Sequence, residues 1–321
     1  MDCKNLLIVG GTGFIGRHLV RKAIECNYNV IVLSSKKHIK KVDSQNIDYI
    51  IADIRDFKQL KSVLSNKEIH YVVNLGGYID HVDFMSGGYS VIETHFNGVL
   101  NLVRCLDWSK IKGFVQIGSS DEYGNLKAPQ SENQRERPIS SYSLGKVAAN
   151  QFLQMLNREE GFPIVLLRLF LVYGPGQDEK RFIPQIIQGC LKEESFPVSL
   201  GEQLRDFCYI EDVVQGILSA MKCSGAYGEI INIASGDPVK IRKVIEIIQN
   251  ITGNGAPQFG KVKYRKGENM ALYADISKAK KILSWQPATN LSKGIDKTIR
   301  YFQDSLIFLT QGLFGRYCKA V

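Results

Sequence analysis

Residues 6–16 read Leu6-Leu7-Ile8-Val9-Gly10-Gly11-Thr12-Gly13-Phe14-Ile15-Gly16. The first four are an apolar run of strand length. Glycines follow at 10, 13 and 16, and then a helical pattern through Leu19, Val20, Ala23 and Ile24. Strand, glycine turn and helix in that order cradle a pyrophosphate on a helix N-terminus. A glycine motif alone is weak, and a purely structural turn is the alternative. The strand–helix frame supplies the weight. Gly10, Thr12, Gly13, Phe14, Ile15 and Gly16 are the first candidate cofactor-binding residues.

Working outward, Asn29–Leu33 reads as a second strand ending in Ser34-Ser35-Lys36-Lys37. NAD-selective dinucleotide folds place an acid there for the ribose 2′-hydroxyl. Hydroxyls and ammonium groups accept a 2′-phosphate instead, so Ser34, Ser35 and Lys36 predict NADP over NAD. Asp48–Ile51 is a third strand. Asp53 and Ile54 beyond it are placed to flank an adenine ring, while Asp56 reads as a helix N-cap. Tyr71–Leu75 is a fourth strand running into Gly76-Gly77, where backbone approaches the cofactor closely, so Leu75, Gly76 and Gly77 join the set. Val91–Leu106 reads as a helix with Asn97 facing inward as a polar tie to the site. The alternation predicts an α/β fold: a doubly wound parallel sheet, Rossmann-like, with its site at the strand C-terminal ends. Residues 1–172 form the dinucleotide-binding domain, which also receives elements near 205–235. Residues 173–321 form mainly a smaller α/β C-terminal substrate domain.

Phe114–Ile117 is a further strand, opening into Gly118-Ser119-Ser120-Asp121-Glu122. Downstream, Leu144, Val147, Ala148, Phe152, Met155 and Leu156 have helical spacing, which puts Tyr142 and Lys146 on one face. An ammonium beside a phenol lowers the phenol's pKa and makes Tyr142 a usable acid or base near neutral pH. Ser119 is placed to hold the oxygen that exchanges the proton. Tyr123 and Lys127 match the same spacing, but Gly124 and Pro129 break any helix there, so that pair reads as a decoy.

The 321 residues, 44% hydrophobic and 23% charged, have ordinary globular composition. The net charge of +9 suits anionic small molecules. Nucleic acid is not expected, because no basic stripe interleaved with aromatics and no zinc, RRM or KH signature is present. Seven scattered cysteines without CxxC, and five histidines without HxxxH, argue for free thiols and no metal site. With neither a signal peptide nor an apolar run of membrane-span length, a cytoplasmic protein is expected. The apolar tail Tyr301–Leu309, with Leu313 and Phe314 beyond, reads as a terminal helix docking on the C-terminal domain.

Further motifs follow: R-L-F-L-V-Y-G-P-G-Q from Arg168 to Gln177, R-D-F-C-Y-I-E-D-V-V from Arg205 to Val214, Y-R-K-G-E from Tyr264, and L-S-W-Q-P around Trp285. With G-G-T-G-F-I-G at the start, the chain resembles, over almost its whole length, the extended short-chain dehydrogenase/reductases acting on nucleotide sugars. The resemblance implies a Ser119–Tyr142–Lys146 catalytic triad. Tyr142 and Lys146 would also contact the cofactor. Arg205 and Arg265 would bind the diphosphate of a nucleotide-diphosphate sugar, with Ser119, Ser120, Asp121 and Glu268 completing the substrate site. It also implies a homodimer through helices 91–106 and 142–157. The strip G-S-S-D-E-Y-G is most similar to 4-keto-6-deoxyhexose reductases, so reduction of a 4-keto sugar with Tyr142 as proton donor is the expected reaction. The alternatives are 4-epimerisation and 4,6-dehydration. The Thr-Asp-Glu triplet of dehydratases falls on Ser119-Ser120-Asp121, or, shifted by one, on Ser120-Asp121-Glu122. Leu171 stands where the family commonly has Asn.

Overall fold

In a computed structural model, residues 4–36, 46–265 and 267–317 are described, with side chains to Asp304. Lys37, and the side chains of the apolar tail beyond Asp304, lie outside the described residues. The centre is a seven-stranded sheet: β1 (Lys4–Val9), β2 (Tyr28–Ser34), β3 (Ile47–Ile51), β4 (Tyr71–Asn74), β5 (Gly113–Ser119), β6 (Ile164–Leu169) and β7 (Ile230–Ile233). All are parallel, in the order β7-β6-β5-β4-β1-β2-β3. The chain winds outward from β1 to β3, then returns to build the other half from β4. The switch point therefore lies between the carboxyl ends of β1 and β4, where such sheets form their crevice.

Both faces are covered, which is why these strands read as continuous apolar runs. On one face Leu6, Ile8, Val30 and Val32 pack with α1 (Phe14–Glu25), and Val115, Val165 and Ile231 continue the same buried cluster. On the other, Leu7, Val9, Ile31, Val72, Phe114 and Ile164 meet α2 (Phe57–Leu64) and the helices that follow. Each fully buried side chain of this kind contributes roughly 1.5–3 kcal/mol, so alternation along the strands sets the register strongly.

The expected helix at Val91–Leu106 is α3 (Gly88–Ile92), a π-turn at Glu93–Asn97 and α4 (Gly98–Cys105). Next comes α5 (Ser141–Glu160). It is started by a capping box between Ser140 and Ser143 and stopped by Gly161 at φ +68°.

Strand β6 ends at Leu169, and Leu171–Tyr173 pairs separately with Phe207–Tyr209. After α6 (Phe182–Leu191), helix α7 (Ile210–Lys222) packs beside α1 and leads to β7 at the edge of the main sheet. The remaining lobe holds α8 (Ile241–Thr252), α9 (Ser277–Leu283) and α10 (Leu291–Tyr317), with small sheets formed by 195–198 with 256–259 and by 204–205 with 239–240 and 271–272. The described part of α10 docks through Ile295, Ile299 and Phe302, all buried. Among the described residues no helix is long and apolar enough to cross a membrane.

Candidate active site

A cleft of about 1060 Å³ runs from the carboxyl end of the sheet into the second lobe. Its floor is the first turn of the chain. Gly10 takes φ +74°, and a Cβ at Gly16 would lie 2.4 Å from the Gly10 carbonyl oxygen, so only glycine lets α1 start this close to β1. Helix α1 begins at Gly13 with no side-chain cap and no acid in its first turn. Its leading N–H groups and partial positive charge are available to an anion. Gly13, Phe14, Ile15, Leu75, Gly76 and Gly77 line the same cleft.

Thr12 and Ser34 lie further back, joined hydroxyl to hydroxyl at 3.0 Å. The Ser34 hydroxyl also accepts the Lys36 backbone N–H, while Ser35 and Lys36 are exposed. The Asp53 carboxylate is held by Arg55 at 2.6 Å, and that hydrogen bond keeps it below the usual carboxylate range. Asp56 caps α2 by accepting the Gln59 N–H. Ile54 is buried against Gly98, where a Cβ would meet its side chain at 2.7 Å.

Asn97 does not face inward. It is exposed, and the buried face of this helical run carries Thr94 and His95 instead. The π-turn fixes which side chains point at the sheet, and Asn97 falls off that face. The polar residue entering the cleft from here is His95, 2% exposed. Its Nε2–H donates to the Tyr78 carbonyl at 2.8 Å, and its Nδ1 has no hydrogen-bond partner among the described residues. Burial and the nearby Lys146 ammonium push its pKa down to about 3, so the ring is neutral. Gly77 makes room for it, since a Cβ there would lie 2.2 Å from the ring.

Tyr142 and Lys146, one turn apart on α5, are 5% and 4% exposed, and both line the cleft with Ser119. The Ser119 hydroxyl lies beside the Tyr142 phenol as a hydrogen-bonding neighbour that acts to lower its pKa. The Lys146 ammonium donates to the Ile117 carbonyl at 2.7 Å and lies 5.9 Å from the Tyr142 ring centroid. The expected lowering of the phenol's pKa is not what the site produces. Burial raises it, and this outweighs the Ser119 hydrogen bond and the Arg181 charge that act the other way. Lys146 is itself brought down to about 8, chiefly by burial. In the protein alone, Tyr142 is therefore a protonated phenol.

The other expected substrate residues divide. Ser120 is buried beneath the strand end and does not line the cleft. Asp121 is partly exposed and accepts from His81 Nε2 at 2.8 Å, which raises the imidazole's pKa. The His81 ring stands edge-on to Tyr142, centroids 5.7 Å apart. From the second lobe Arg205, Arg265 and Glu268 line the cleft, and the Arg205 guanidinium donates to the Glu268 carboxylate and to the Leu204 carbonyl. Leu171 also lines it.

Sequence reasoning did not single out His81, His95 or Arg181. It weighed histidines only as metal ligands. The usable signal for His95 was its place on the apolar stripe Val91, Gly98, Val99, Leu102. Among the described residues no three or more His, Cys, Asp or Glu side chains gather as a metal site.

A glycine cradle, an open helix start and a buried Tyr–Lys pair in one cleft fit a dinucleotide and a sugar beside it. The comparisons with known proteins agree. A putative UDP-glucose 4-epimerase of Methanocaldococcus jannaschii is 32% identical over 94% of this chain and 99% of its own length. A dTDP-D-glucose 4,6-dehydratase of Bos taurus is 27% identical over 94% of this chain and 91% of its own. The crystal structure of UDP-glucose 4-epimerase from Thermotoga maritima, with UDP-glucose, superposes with TM-score 0.86 at 29% identity, covering 94% and 99% of the two chains. The model of the NAD dependent epimerase/dehydratase family matches residues 6–234, and this chain belongs to that family.

Proposed function

We propose that this protein is a nucleotide-sugar 4-epimerase, with Ser119 and Tyr142 acting on the sugar's C4 oxygen and Lys146 orienting the reactive end of the cleft. One observation carries the reading: a hydroxyl pair, Ser119 with Tyr142, faces the same cleft as the glycine cradle, with Lys146 one helical turn away. Bound dinucleotide would supply the hydride acceptor and donor for C4, held by the Gly10–Gly16 turn and Lys146. Tyr142 moves the proton of the 4-hydroxyl, and Ser119 keeps that oxygen in place. Arg205 and Arg265 suit the diphosphate, since guanidinium groups bind such oxygens in pairs.

Dehydration requires a further free acid and base, and the candidates for it are occupied. Glu122 is fully buried and hydrogen-bonded through both oxygens, and Asp121 is paired with His81. The likeness to the UDP-glucose 4-epimerase of Thermotoga maritima and to a putative UDP-glucose 4-epimerase supports epimerisation over reduction. Reduction of a 4-keto-6-deoxy sugar is the second reading. The protonated state of Tyr142 and the missing carboxylate at the end of β2 favour it. On the second reading the cofactor is NADP, received by Ser35 and Lys36.

Exposed Phe84, Met85, Tyr89 and Leu144 around α3 and α5 support a homodimer through these helices, which a monomer mass in light scattering would refute. The deciding assay incubates the protein with UDP-glucose or UDP-galactose and follows their interconversion by NMR, beside NADPH consumption on 4-keto-6-deoxy sugars. Interconversion without net NAD(P)H change is the expected result. NADPH-dependent consumption of the keto sugar alone would reverse the order of the two readings. Calorimetric titration checks the cofactor: the first reading expects NAD to bind at least as tightly as NADP.

A further inference from the structure

Glu122 has no solvent exposure and sits where the end of β5 meets α5. Its Oε1 accepts the Ser119 backbone N–H at 2.9 Å. Its Oε2 accepts Asn150 Nδ2 at 2.8 Å and Arg168 Nε at 2.7 Å. Asn150 lies one turn beyond Lys146 on α5, and Arg168 lies on β6. The carboxylate thus touches the backbone of Ser119 and the helix that carries Tyr142 and Lys146. Gly118 admits it, since a Cβ there would lie 2.4 Å from Oε1.

We propose that Glu122 is a positioning residue for the Ser119–Tyr142–Lys146 set: one buried carboxylate that clamps the end of β5 to α5. The proposal rests on the reading that this set is catalytic. A buried charge without partners is costly, so a carboxylate kept here needs its donors, and three of them converge on it. The clamp also has an electrostatic effect. The groups facing Lys146 are the Ile117 carbonyl from β5, neutral His95 from the π-turn, the Tyr142 phenol on α5 and Glu122. Among the described residues, the charge that favours the ammonium against burial is Glu122. Arg168 balances Glu122, pairs also with Glu136, and stacks on the Tyr123 ring at 4.6 Å.

The test is Glu122→Gln, which keeps the shape and removes the charge. Lysine side-chain NMR on the protein alone should show the Lys146 titration midpoint fall by about one pH unit or more. With whichever of UDP-galactose or a 4-keto-6-deoxy sugar is turned over, kcat should fall by about 10-fold or more with KM changed less than about threefold. Glu122→Asp, which restores the charge, should recover the midpoint. Glu122→Gln/Arg168→Met separates the clamp from the cost of an unpaired arginine: kcat stays low if Glu122 positions the set, and a return to wild-type kcat would overturn the proposal. An unshifted midpoint with wild-type kcat in Glu122→Gln would also overturn it. Should Glu122→Gln not fold, Asn150→Leu cuts only the strut to α5, and an unchanged kcat there counts against the clamp. Tyr142→Phe runs alongside. If it too is fully active, the catalytic reading fails and the clamp falls with it. If it is inactive while the clamp variants are not, the clamp alone fails.

Discussion

Tyr123 and Tyr142 each stand four residues before a lysine, yet the elements that carry them and the partners they meet differ. Tyr142 and Lys146 lie on a 20-residue helix, are both buried, and open on the cleft. Tyr123 closes a short 3₁₀ turn, and Gly124 at φ +58° then turns the chain away, leaving Lys127 exposed. The Tyr123 ring is fully buried, its hydroxyl donates to Asn232 Oδ1 at 2.7 Å, and Arg168 covers its face. Burial pushes both phenols up, Tyr123 to about 12, so burial does not tell them apart. What separates them is the partner: an amide in a closed interior for Tyr123, a serine hydroxyl at an open cleft for Tyr142. The lesson is that the spacing becomes a site only when the element beneath it is a helix and the face it presents meets a cavity.

The strongest way to break this contrast is to remove both phenol hydroxyls in turn. Tyr142→Phe should lower turnover by about 10²-fold or more while leaving dinucleotide binding intact. Tyr123→Phe should leave turnover close to wild type. Equal losses would erase the distinction, and a fully active Tyr142→Phe would reverse it.

The lysines sharpen the contrast at the next level. Lys146→Met should cut turnover by roughly 10-fold or more, whereas Lys127→Met should change neither turnover nor stability measurably. The pH profile is a finer version of the same test. Lys146, brought down to about 8, is charged below that value and neutral above it, so turnover that needs the ammonium falls as pH rises through about 8. His95, held near 3, stays neutral at physiological pH and adds no acid limb. An acid limb that vanishes in His81→Asn, lying above the ordinary imidazole range because Asp121 favours the protonated ring, would instead implicate the His81–Asp121 pair. The smallest effect belongs to stability. Tyr123→Phe strips a buried donor from Asn232 and should cost about 1 kcal/mol in denaturant unfolding, with turnover unchanged.

Much of the fold was legible because it rests on local signals. Leu6–Gly16 contains its own strand, turn and helix start, and the apolar runs at β2 to β6 stand out for the same reason. What escaped depends on tertiary placement. Asn97 was assigned inward by assuming an uninterrupted helix, and the π-turn with the buried His95 is invisible to a fixed period. The direction of the Tyr142 shift was misjudged because spacing locates the neighbouring lysine but cannot give burial depth, the larger influence here. The Glu122–Arg168 pair joins residues 46 positions apart, and nothing in either segment announces that two opposite charges will be buried together.

Helix α1 starts at Gly13 without a cap of its own, and no acid in its first turn offsets its positive end. Seen as thermodynamic linkage, this makes the dinucleotide part of the protein's stability. A pyrophosphate seated there accepts the N–H groups that a serine or aspartate N-cap would otherwise satisfy, so binding and folding share one equilibrium. Above the dissociation constant, each tenfold rise in free dinucleotide should add about 1.4 kcal/mol to the unfolding free energy. The melting temperature would then be a titration curve for the cofactor, and cells rich in that cofactor would hold a more durable enzyme.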